Sequence, residues 1–443
     1  MKRLILILAT LSSVVATAAM RPTPDYLKRA TVYQIVLRNF TRDGNFRAAT
    51  EMLDHVRSVG VGIVYLTPFV AMDCDMYRSG WSPRQIRSGF GSPKNPYRIS
   101  DYDKIDPEYG TDADFKAFND KAHSLGMKVY MDLVYLHCGP NNVLKDHFPD
   151  AFQKNPDGSV KTTIWNFPYV NFASKDVRKY LIDSMLHWMS LGCDGFRCDV
   201  GDEVPIDFWV EAVTACQKVN PELVMINEGT KAEWLEKAFD ACYAWPWSFT
   251  VRERIAAVGN RSLPERMAEV RTYEENVPKE ALMFCFLDNH DTAADDWERR
   301  FDRTLPVEAG NAAFVLTFLR KGLPLIFNGN EIADNSLNSF FGPVEHPARG
   351  AAKTVDWARA LQPDGQKRLA LIRKLAKMRH EDPIWSEGDM TWVTDGEKNG
   401  ILAFTRTLDT RTVLVAANLT NKTANGGETI GMLKPYEYII REK

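Results

Sequence analysis

An α/β fold built on a closed parallel (β/α)8 TIM barrel is the class that this 443-residue sequence predicts. Apolar strand-like runs alternate with amphipathic helical runs, and eight alternations favour a closed barrel over an open doubly wound sheet. No Gly-x-Gly-x-x-Gly pattern follows the first run, which argues against a dinucleotide-binding fold. The predicted strands are residues 32–37, 62–66, 128–134, 195–199, 223–227, 241–245, 281–287 and 323–328.

The helical runs have apolar residues at three- and four-residue intervals, which is the spacing of one helix face. Some begin with a capping residue and an early acid, such as Ser174 before Asp176 and Thr111 before Asp112. The predicted helices are residues 46–59, 112–125, 177–189, 205–219, 231–239, 264–273, 309–319 and 366–378.

Two long segments interrupt this alternation. Residues 137–172 are polar and irregular, which is typical of a small inserted domain, and the loop 68–97 is also long. Both follow a strand, so both should overhang the C-terminal face, where barrel active sites lie. We therefore expect the barrel in two parts, residues 20–136 and 173–385.

Beyond residue 385 the apolar period changes from helical to alternating. Short alternating runs separated by turn residues predict a C-terminal antiparallel β-sandwich domain over residues 386–443. These runs are residues 391–393, 401–405, 412–417 and 436–440.

The first residues have the pattern of an export signal. Lys2 and Arg3 precede an apolar run over residues 4–15 and a small-residue motif at 16–18. The run is too short to span a bilayer stably. We expect a signal peptide over residues 1–19, a periplasmic or extracellular protein, and no membrane span after cleavage.

Composition excludes several classes of partner. A net charge of −3 gives no electrostatic reason to expect nucleic acid. Seven cysteines without a Cys-x-x-Cys pair fit neither a zinc cluster nor a dense disulfide framework, and one or two disulfides remain open. No pattern in the chain specifies an oligomeric state.

Four predicted strands end in polar residues that barrel packing does not require. The third ends in DLVYLH at residues 132–137, and the fourth places Arg197 and Asp199 two positions apart, on one face. The fifth ends at Glu228, and the seventh continues into DNHD at residues 288–291. In a barrel these ends converge on one pocket.

Three carboxylates in such a pocket suit cleavage of a glycosidic bond. Asp199, kept ionised by Arg197, can attack an anomeric carbon, while Glu228, desolvated and near anions, can hold a proton as general acid. Asp291 would stabilise an oxocarbenium-like transition state. Singly, each motif has a structural explanation, such as a strand-end ion pair or a helix cap. Their joint placement at strand ends favours an active site.

These motifs resemble those of the α-amylase superfamily of retaining α-glucosidases and transglycosidases, from about residue 30 onward. DLVYLH looks like its first motif, GFRCD its second, the Glu228 strand its third and FLDNHD its fourth. VGDEVPIDFW at residues 200–209 is similar to the maltodextrin- and cyclodextrin-acting branches, and residues 137–172 would be the family's B domain. The resemblance implies that Asp199 is the nucleophile, Glu228 the acid/base and Asp291 the transition-state stabiliser. It also implies four sugar-binding residues, which are Tyr97, His137, Arg197 and His290.

Three departures from the family pattern are informative. Leu136 stands where the first motif has asparagine, and Tyr169 stands where the B domain has aspartate. Both missing residues are calcium ligands in the family, and calcium takes six to eight oxygens. We therefore expect no structural calcium, no metal among the site residues and no cofactor, while a metal at a site outside the family pattern stays open. Gly201–Glu203 replace a lysine–histidine pair, which leaves the leaving-group side undefined.

The sequence thus predicts a retaining hydrolase of α-1,4-glucosidic bonds in starch, maltodextrins or related α-glucans. One alternative keeps the scaffold and changes the acceptor, giving a glucanotransferase or a sugar isomerase. Another, from a different class, is a non-catalytic starch-binding protein, although binding alone would not require all three carboxylates.

Overall fold

The computed structural model describes residues 23–255, 259–295, 300–342 and 354–443. The predicted signal peptide, residues 1–19, lies outside the described residues. The barrel strands, labelled β1 to β8 in chain order, are Val32–Ile35, Ile63–Leu66, Lys128–Leu133, Gly195–Cys198, Val224–Asn227, Ala241–Tyr243, Leu282–Cys285 and Leu323–Phe327.

The eight strands form a closed barrel in which each is parallel to its neighbours and β8 pairs with β1. The predicted (β/α)8 barrel is therefore confirmed, and each predicted run contains one strand. Two predicted strands extend into a helix: the first stops at Ile35 before a helix that begins at Leu37, and the sixth stops at Tyr243 before a helix that begins at Trp245. Pro246 follows at the start of that helix, where its fixed φ suits the first turn.

Large aromatic side chains fill the barrel interior beneath the strand ends. Tyr65, Tyr130 and Tyr243 are fully buried in one apolar cluster. Gly195 allows the close approach of Tyr130, since a Cβ at that position would lie 2.8 Å from the tyrosine ring. The interior is thus a packed core that supports the site above it.

Helices surround the barrel, and every predicted helical run overlaps at least one of them. The predicted helix over residues 46–59 is divided into two at Met52, whose ψ of −8° departs from helical geometry. The helices are Asp25–Arg29, Leu37–Phe40, Phe46–Glu51, Leu53–Ser58, Pro83–Arg87, Asp112–Ser124, Leu144–His147, Lys175–Ser190, Ile206–Gln217, Ala232–Lys237, Trp245–Ile255, Leu263–Asn276, His290–Asp295, Phe301–Thr304, Val307–Leu319, Pro363–Glu381 and Gly427–Ile430. Within the described ranges, none is long and apolar enough to cross a membrane.

Two segments rise from the C-terminal ends of β2 and β3. After β2, Val70–Met72 pairs antiparallel with Ile99–Ile105. After β3, residues 137–172 contain isolated β-bridges, of which His137 with Tyr169 lies next to the barrel. The Asn166 side chain donates to the carbonyl of Trp81 over 2.9 Å and joins the two segments.

The C-terminal part contains an antiparallel sheet, as predicted. Its four strands, β9 to β12, are Asp389–Val393, Ile401–Leu408, Arg411–Asn418 and Tyr438–Glu442, in that spatial order. A separate two-stranded ladder pairs Ala424–Asn425 with Met432–Leu433, and side chains from both sheets share one apolar cluster. Buried Arg406 of β10 donates to the carbonyl of Leu319 over 3.0 Å, which fastens the sheet to the barrel's last helices.

Candidate active site

A fully buried arginine organises the end of β4. Nη1 of Arg197 lies 2.6 and 2.8 Å from the two carboxylate oxygens of Asp132 and 3.1 Å from Oδ1 of Asp199. Tyr65 and Tyr97 also donate to Asp132, over 2.7 and 3.0 Å. Burial raises the pKa of Asp132 to about 7, and the charge of Arg197 opposes this shift. Asp132 therefore holds the arginine in place at the barrel mouth.

Asp199 lies directly after β4, with its amide still bonded to the carbonyl of Leu133 over 2.8 Å. Nε2 of His137 lies 3.5 Å from Oδ2 of Asp199. Burial raises the pKa of Asp199, but the hydrogen bond from His137 and the charge of Arg197 outweigh it and hold the pKa below its usual value. Asp199 is therefore an ionised carboxylate at neutral pH.

Glu228 follows β5 and reaches the same arginine. Its Oε2 lies 2.7 Å from Nη2 of Arg197 and accepts a hydrogen bond from the amide of Val200 over 3.1 Å. Val200 has a φ of 44°, a strained conformation for a β-branched residue, and this turn directs its amide to the carboxylate. Burial, and then the negative charges of Asp199 and Asp291, raise the pKa of Glu228 well above its usual value, although Arg197 opposes them.

Asp291 lies at the start of the helix His290–Asp295, just beyond β7. Its Oδ1 accepts a hydrogen bond from Nη1 of Arg84 over 2.6 Å, and its Oδ2 lies 3.4 Å from Nε2 of His290. Burial raises the pKa of Asp291, but His290, Arg84 and Arg197 together hold it well below its usual value. This third carboxylate is also ionised.

Tyr97 and His290 form a stacked pair with ring centroids 5.3 Å apart and an interplanar angle of 10°. Gln34 of β1 fixes the tautomer of His290. Its Oε1 accepts from the His290 amide over 3.2 Å, so its Nε2 donates to Nδ1 over 2.8 Å. The imidazole proton is then on Nε2, 2.5 Å from the Tyr97 hydroxyl. Burial lowers the pKa of His290 to about 4, so the ring is neutral.

These residues line one cavity of about 110 Å³. Tyr97, His137, Asp199, Glu228 and Asp291 all contribute to its wall, while Arg197 lies beneath it. The structure therefore brings together all seven residues that the sequence predicts for the site. Its remaining lining residues are Ser82, Arg84, Asn95, Trp165, Phe167, Val200, Phe340 and Phe341.

The sequence analysis did not identify Gln34, Arg84 or four aromatic residues of the cavity wall. These aromatic residues are Trp165, Phe167, Phe340 and Phe341. Gln34 carried a detectable signal, because a glutamine inside the apolar run VYQIVL must be hydrogen-bonded if it is buried. Arg84 carried none, since its partner Asp291 is more than two hundred positions away in sequence.

The unusual segment Gly201–Glu203 braces the loop after β5. Asp202 accepts hydrogen bonds from Asn227 Nδ2 over 2.6 Å and from the amides of Thr230 and Lys231 over 2.6 and 3.1 Å. Gly229 makes this contact possible, because a Cβ there would collide with the Asp202 carboxylate. The departure from the family pattern therefore has a local structural role beside Glu228.

The residues at the junction of the barrel and residues 137–172 do not fit a calcium ion. Leu136 is buried and supplies only its carbonyl, which the Val170 amide already occupies over 3.1 Å. Near this junction, buried Arg98 donates to the carbonyls of Asp73 and Asp75, each over 3.0 Å. Within the described ranges, no group of three or more histidine, cysteine, aspartate or glutamate side chains is placed to hold a metal ion.

A parallel barrel with carboxylates and a buried arginine at its C-terminal face contains the carboxyl pair that cleavage of a glycosidic bond uses. The family model described as alpha amylase, catalytic domain, matches residues 29–159 and 159–397. The chain belongs to this α-amylase family.

Curated relatives include the alpha-amylase MalA of Haloarcula japonica, 26% identical over 95% of this chain and 60% of its own length. The intracellular maltogenic amylase of Bacillus subtilis is 27% identical over 85% of this chain and 62% of its own. A cyclomaltodextrinase of Geobacillus thermopakistaniensis is 24% identical over 86% of this chain and 63% of its own. The chain thus spans about three-fifths of the length of these relatives, which match the predicted maltodextrin- and cyclodextrin-acting branch.

Solved structures show the same fold. An alpha-amylase from Lactobacillus plantarum superposes with a TM-score of 0.77 and 24% identity, covering 95% of this chain and all of the other. A cyclic α-maltosyl-(1→6)-maltose hydrolase from Arthrobacter globiformis superposes with a TM-score of 0.75 and 20% identity, with 95% and 100% coverage.

Proposed function

We propose that this protein is a retaining glycoside hydrolase that cleaves α-1,4-glucosidic bonds in starch fragments and maltodextrins. One observation carries the proposal: a single buried cation, Arg197, contacts both Asp199 and Glu228, while their pKa values move in opposite directions. Two carboxyl groups in one pocket with separated pKa values are what acid–nucleophile catalysis requires.

In the first step, ionised Asp199 attacks the anomeric carbon, and the glycosidic bond to the leaving sugar breaks. Protonated Glu228 transfers its proton to the departing oxygen, so the leaving sugar is released as a neutral alcohol. The product is a covalent glycosyl ester on Asp199, with Glu228 now ionised.

In the second step, Glu228 removes a proton from water as the water oxygen attacks the same carbon. The ester bond breaks, Asp199 regains its charge, and Glu228 is protonated again. Asp291 opposes the positive charge that develops on the sugar ring in both steps. His137, whose Nε2 lies 3.5 Å from Asp199, supplies a polar group for the sugar hydroxyls, and the ring of Tyr97 supplies a face on which the sugar stacks.

The substrate class rests on the relatives. Their names describe maltogenic amylases and a cyclomaltodextrinase, which supports short α-glucans as substrates here. Trp165 and Phe167 add aromatic faces to the cavity wall, and such faces suit the apolar face of a sugar ring.

A product profile tests the proposal. Purified protein is incubated with maltotriose, amylose, pullulan and cyclodextrin, and the products are resolved by chromatography. We expect shorter maltooligosaccharides from maltotriose and amylose, with the α-anomer formed first. Longer oligomers from maltotriose would instead indicate a glucanotransferase, and no reducing sugar from any of these glucans would leave a binding protein.

A matched pair of variants assigns any activity to this site. Asp199→Asn removes the nucleophilic charge and should lower turnover by at least about 1,000-fold. Asp183→Asn changes an exposed aspartate that pairs with Lys179 and should behave like the unmodified protein. Equal activity in Asp199→Asn would remove the nucleophile assignment.

We also propose that the protein is exported and needs no calcium. The sequence pattern over residues 1–19 supports export, and N-terminal sequencing of protein from the periplasm or the medium tests it. Leu136 and Tyr169, together with the guanidinium of Arg98 near this junction, support a calcium-free structure.

A further inference from the structure

Arg84 closes one side of the cavity. It lies on the short helix Pro83–Arg87, in the long loop after β2. Its Nη1 donates to Oδ1 of Asp291 over 2.6 Å, and its Nη2 donates to the main-chain carbonyl of Asp291 over 3.0 Å. The guanidinium carbon lies 5.1 and 5.5 Å from the ring centroids of Phe340 and Phe341. One loop after β2 and one after β8 thus meet over the third carboxylate.

The helix that carries Arg84 is held firmly. Ser82 caps it by accepting from the amide of Gln85 over 3.0 Å. The buried side chain of Gln85 donates to the carbonyl of Ser92 over 2.8 Å, and Asn95 donates to Gln85 over 3.4 Å. The guanidinium is therefore presented by a braced segment.

The cavity that Arg84 lines has little room for a ligand. The cavity of about 110 Å³ is smaller than the roughly 300–1,000 Å³ of ordinary ligand pockets. A sugar that contacts Asp291 must lie beside Arg84, because the guanidinium already occupies one oxygen of that carboxylate. Phe340 also packs against Tyr97 and His290, with ring centroids 5.4 and 5.7 Å apart. The wall of Arg84, Phe340 and Phe341 therefore lies beside the residues proposed to bind the sugar that stays on the enzyme.

We propose that Arg84 makes the enzyme exo-acting: it closes the cleft next to the reacting sugar and binds the hydroxyls of a free non-reducing chain end. The guanidinium presents several planar N–H donors, which suit adjacent hydroxyl oxygens, and the two phenylalanines supply an apolar face. A glucosyl unit inside a chain carries a further sugar at this position, and that sugar would collide with the wall. The inference rests on the proposed hydrolase function and specifies which bond is cut.

Two substrates distinguish the modes of action. They are 4-nitrophenyl α-maltoheptaoside with a free non-reducing end and the same compound with that end capped by a 4,6-ethylidene group. Products are resolved by chromatography, and kcat/KM is measured for each. We expect the capped compound to be cleaved about 100-fold more slowly than the free one, or slower still.

Arg84→Ala should open the wall and raise the capped-to-free ratio by about tenfold or more. Arg87→Ala, an exposed arginine on the same helix, is the matched control and should leave the ratio unchanged. Arg84→Met keeps a long side chain against the phenylalanines but loses the donors. It should therefore raise KM for the free compound while the capped one stays a poor substrate.

Similar rates on both substrates in the unmodified protein would overturn the proposal. So would an unchanged ratio in Arg84→Ala together with an unchanged KM in Arg84→Met. If Arg84→Ala does not fold, as judged by circular dichroism, the KM of Arg84→Met decides alone. Absence of hydrolysis of either compound by the unmodified protein would instead refute the hydrolase function, and the exo-action with it.

Discussion

The guanidinium of Arg197 lies 2.7 Å from Glu228 and 3.1 Å from Asp199, so one buried cation contacts two carboxyl groups of the same cavity. A positive charge lowers the pKa of each neighbour, yet the two values separate. The difference lies in the other partners, since Asp199 also accepts from His137, whereas burial dominates at Glu228. The site therefore separates the two pKa values by surroundings rather than by distance from the cation, as the proposed roles of acid and nucleophile require.

The pH dependence of activity should follow this separation. Glu228 must be protonated to act as acid, so kcat/KM should fall as pH rises through its elevated pKa. Asp199 must be ionised, so activity should also fall at a pH below its lowered pKa. We expect a broad plateau through neutral pH, measured with maltotriose. A decline in activity that begins near the ordinary pKa of glutamate as the pH rises would contradict the role of Glu228 as the acid.

A substrate that needs no acid isolates the role of Glu228. Glu228→Gln should nearly abolish turnover of maltotriose but still release an initial burst of fluoride from α-glucosyl fluoride, because fluoride leaves without protonation. Rapid-quench measurement of the burst checks this. Glu233→Gln, at an exposed glutamate paired with Lys237, serves as control. Loss of the burst in Glu228→Gln alone would argue against its role as acid.

Gln34 should act as a positioning residue. Its amide holds the Nε2–H tautomer of His290, which in turn meets Tyr97. Gln34→Glu would place a carboxylate at Nδ1, favour a proton there and raise the pKa of His290 above about 4. We expect kcat/KM to fall by about tenfold to 100-fold, with a raised His290 pKa in imidazole NMR spectra. Gln34→Met, which lacks charge, should lower activity without raising this pKa.

Stability should depend on pH through His290. The folded protein keeps this ring neutral down to about pH 4, whereas the unfolded chain protonates it near 6.5. The unfolded state therefore binds more protons between these values, and stability is lost as pH falls through this window. A pKa difference of about 2.5 corresponds to about 3 kcal/mol. Urea unfolding of the parent and of His290→Gln at several pH values measures it, and identical pH profiles would refute the contribution.

Arg98 should stabilise the junction between the barrel and residues 137–172 without a metal. Arg98→Ala leaves two carbonyls and the Asp73 carboxylate without their cation, at a cost of about 3 kcal/mol. Arg87→Ala, on an exposed surface, should cost little. Unfolding midpoints measure both effects. A chelator should not change the midpoint of the unmodified protein, and one tightly held calcium ion after purification with calcium would overturn this view.

The sequence predicted the barrel because buried parallel strands have continuous apolar runs, and these runs alternate here with helical patterns. It also predicted Asp199 and Glu228, since a polar residue directly after such a run must face the barrel mouth. Local pattern could not place Arg84 against Asp291, because that contact depends on how a long loop folds back over the barrel. It likewise extended the sixth strand to Trp245, because an apolar aromatic run is compatible with either a strand or a helix.

The hydrogen bonds of Asp202 have a consequence for changing the product range of the proposed hydrolase. Asp202 ties the loop that follows Asp199 to the loop that follows Glu228, through Asn227 and the amides of Thr230 and Lys231. Redesign of residues 201–203 to admit a new acceptor should therefore also shift Glu228, the proposed acid. Acceptor choice and proton transfer are mechanically coupled here, so libraries that vary the two loops together should succeed where single-loop changes fail.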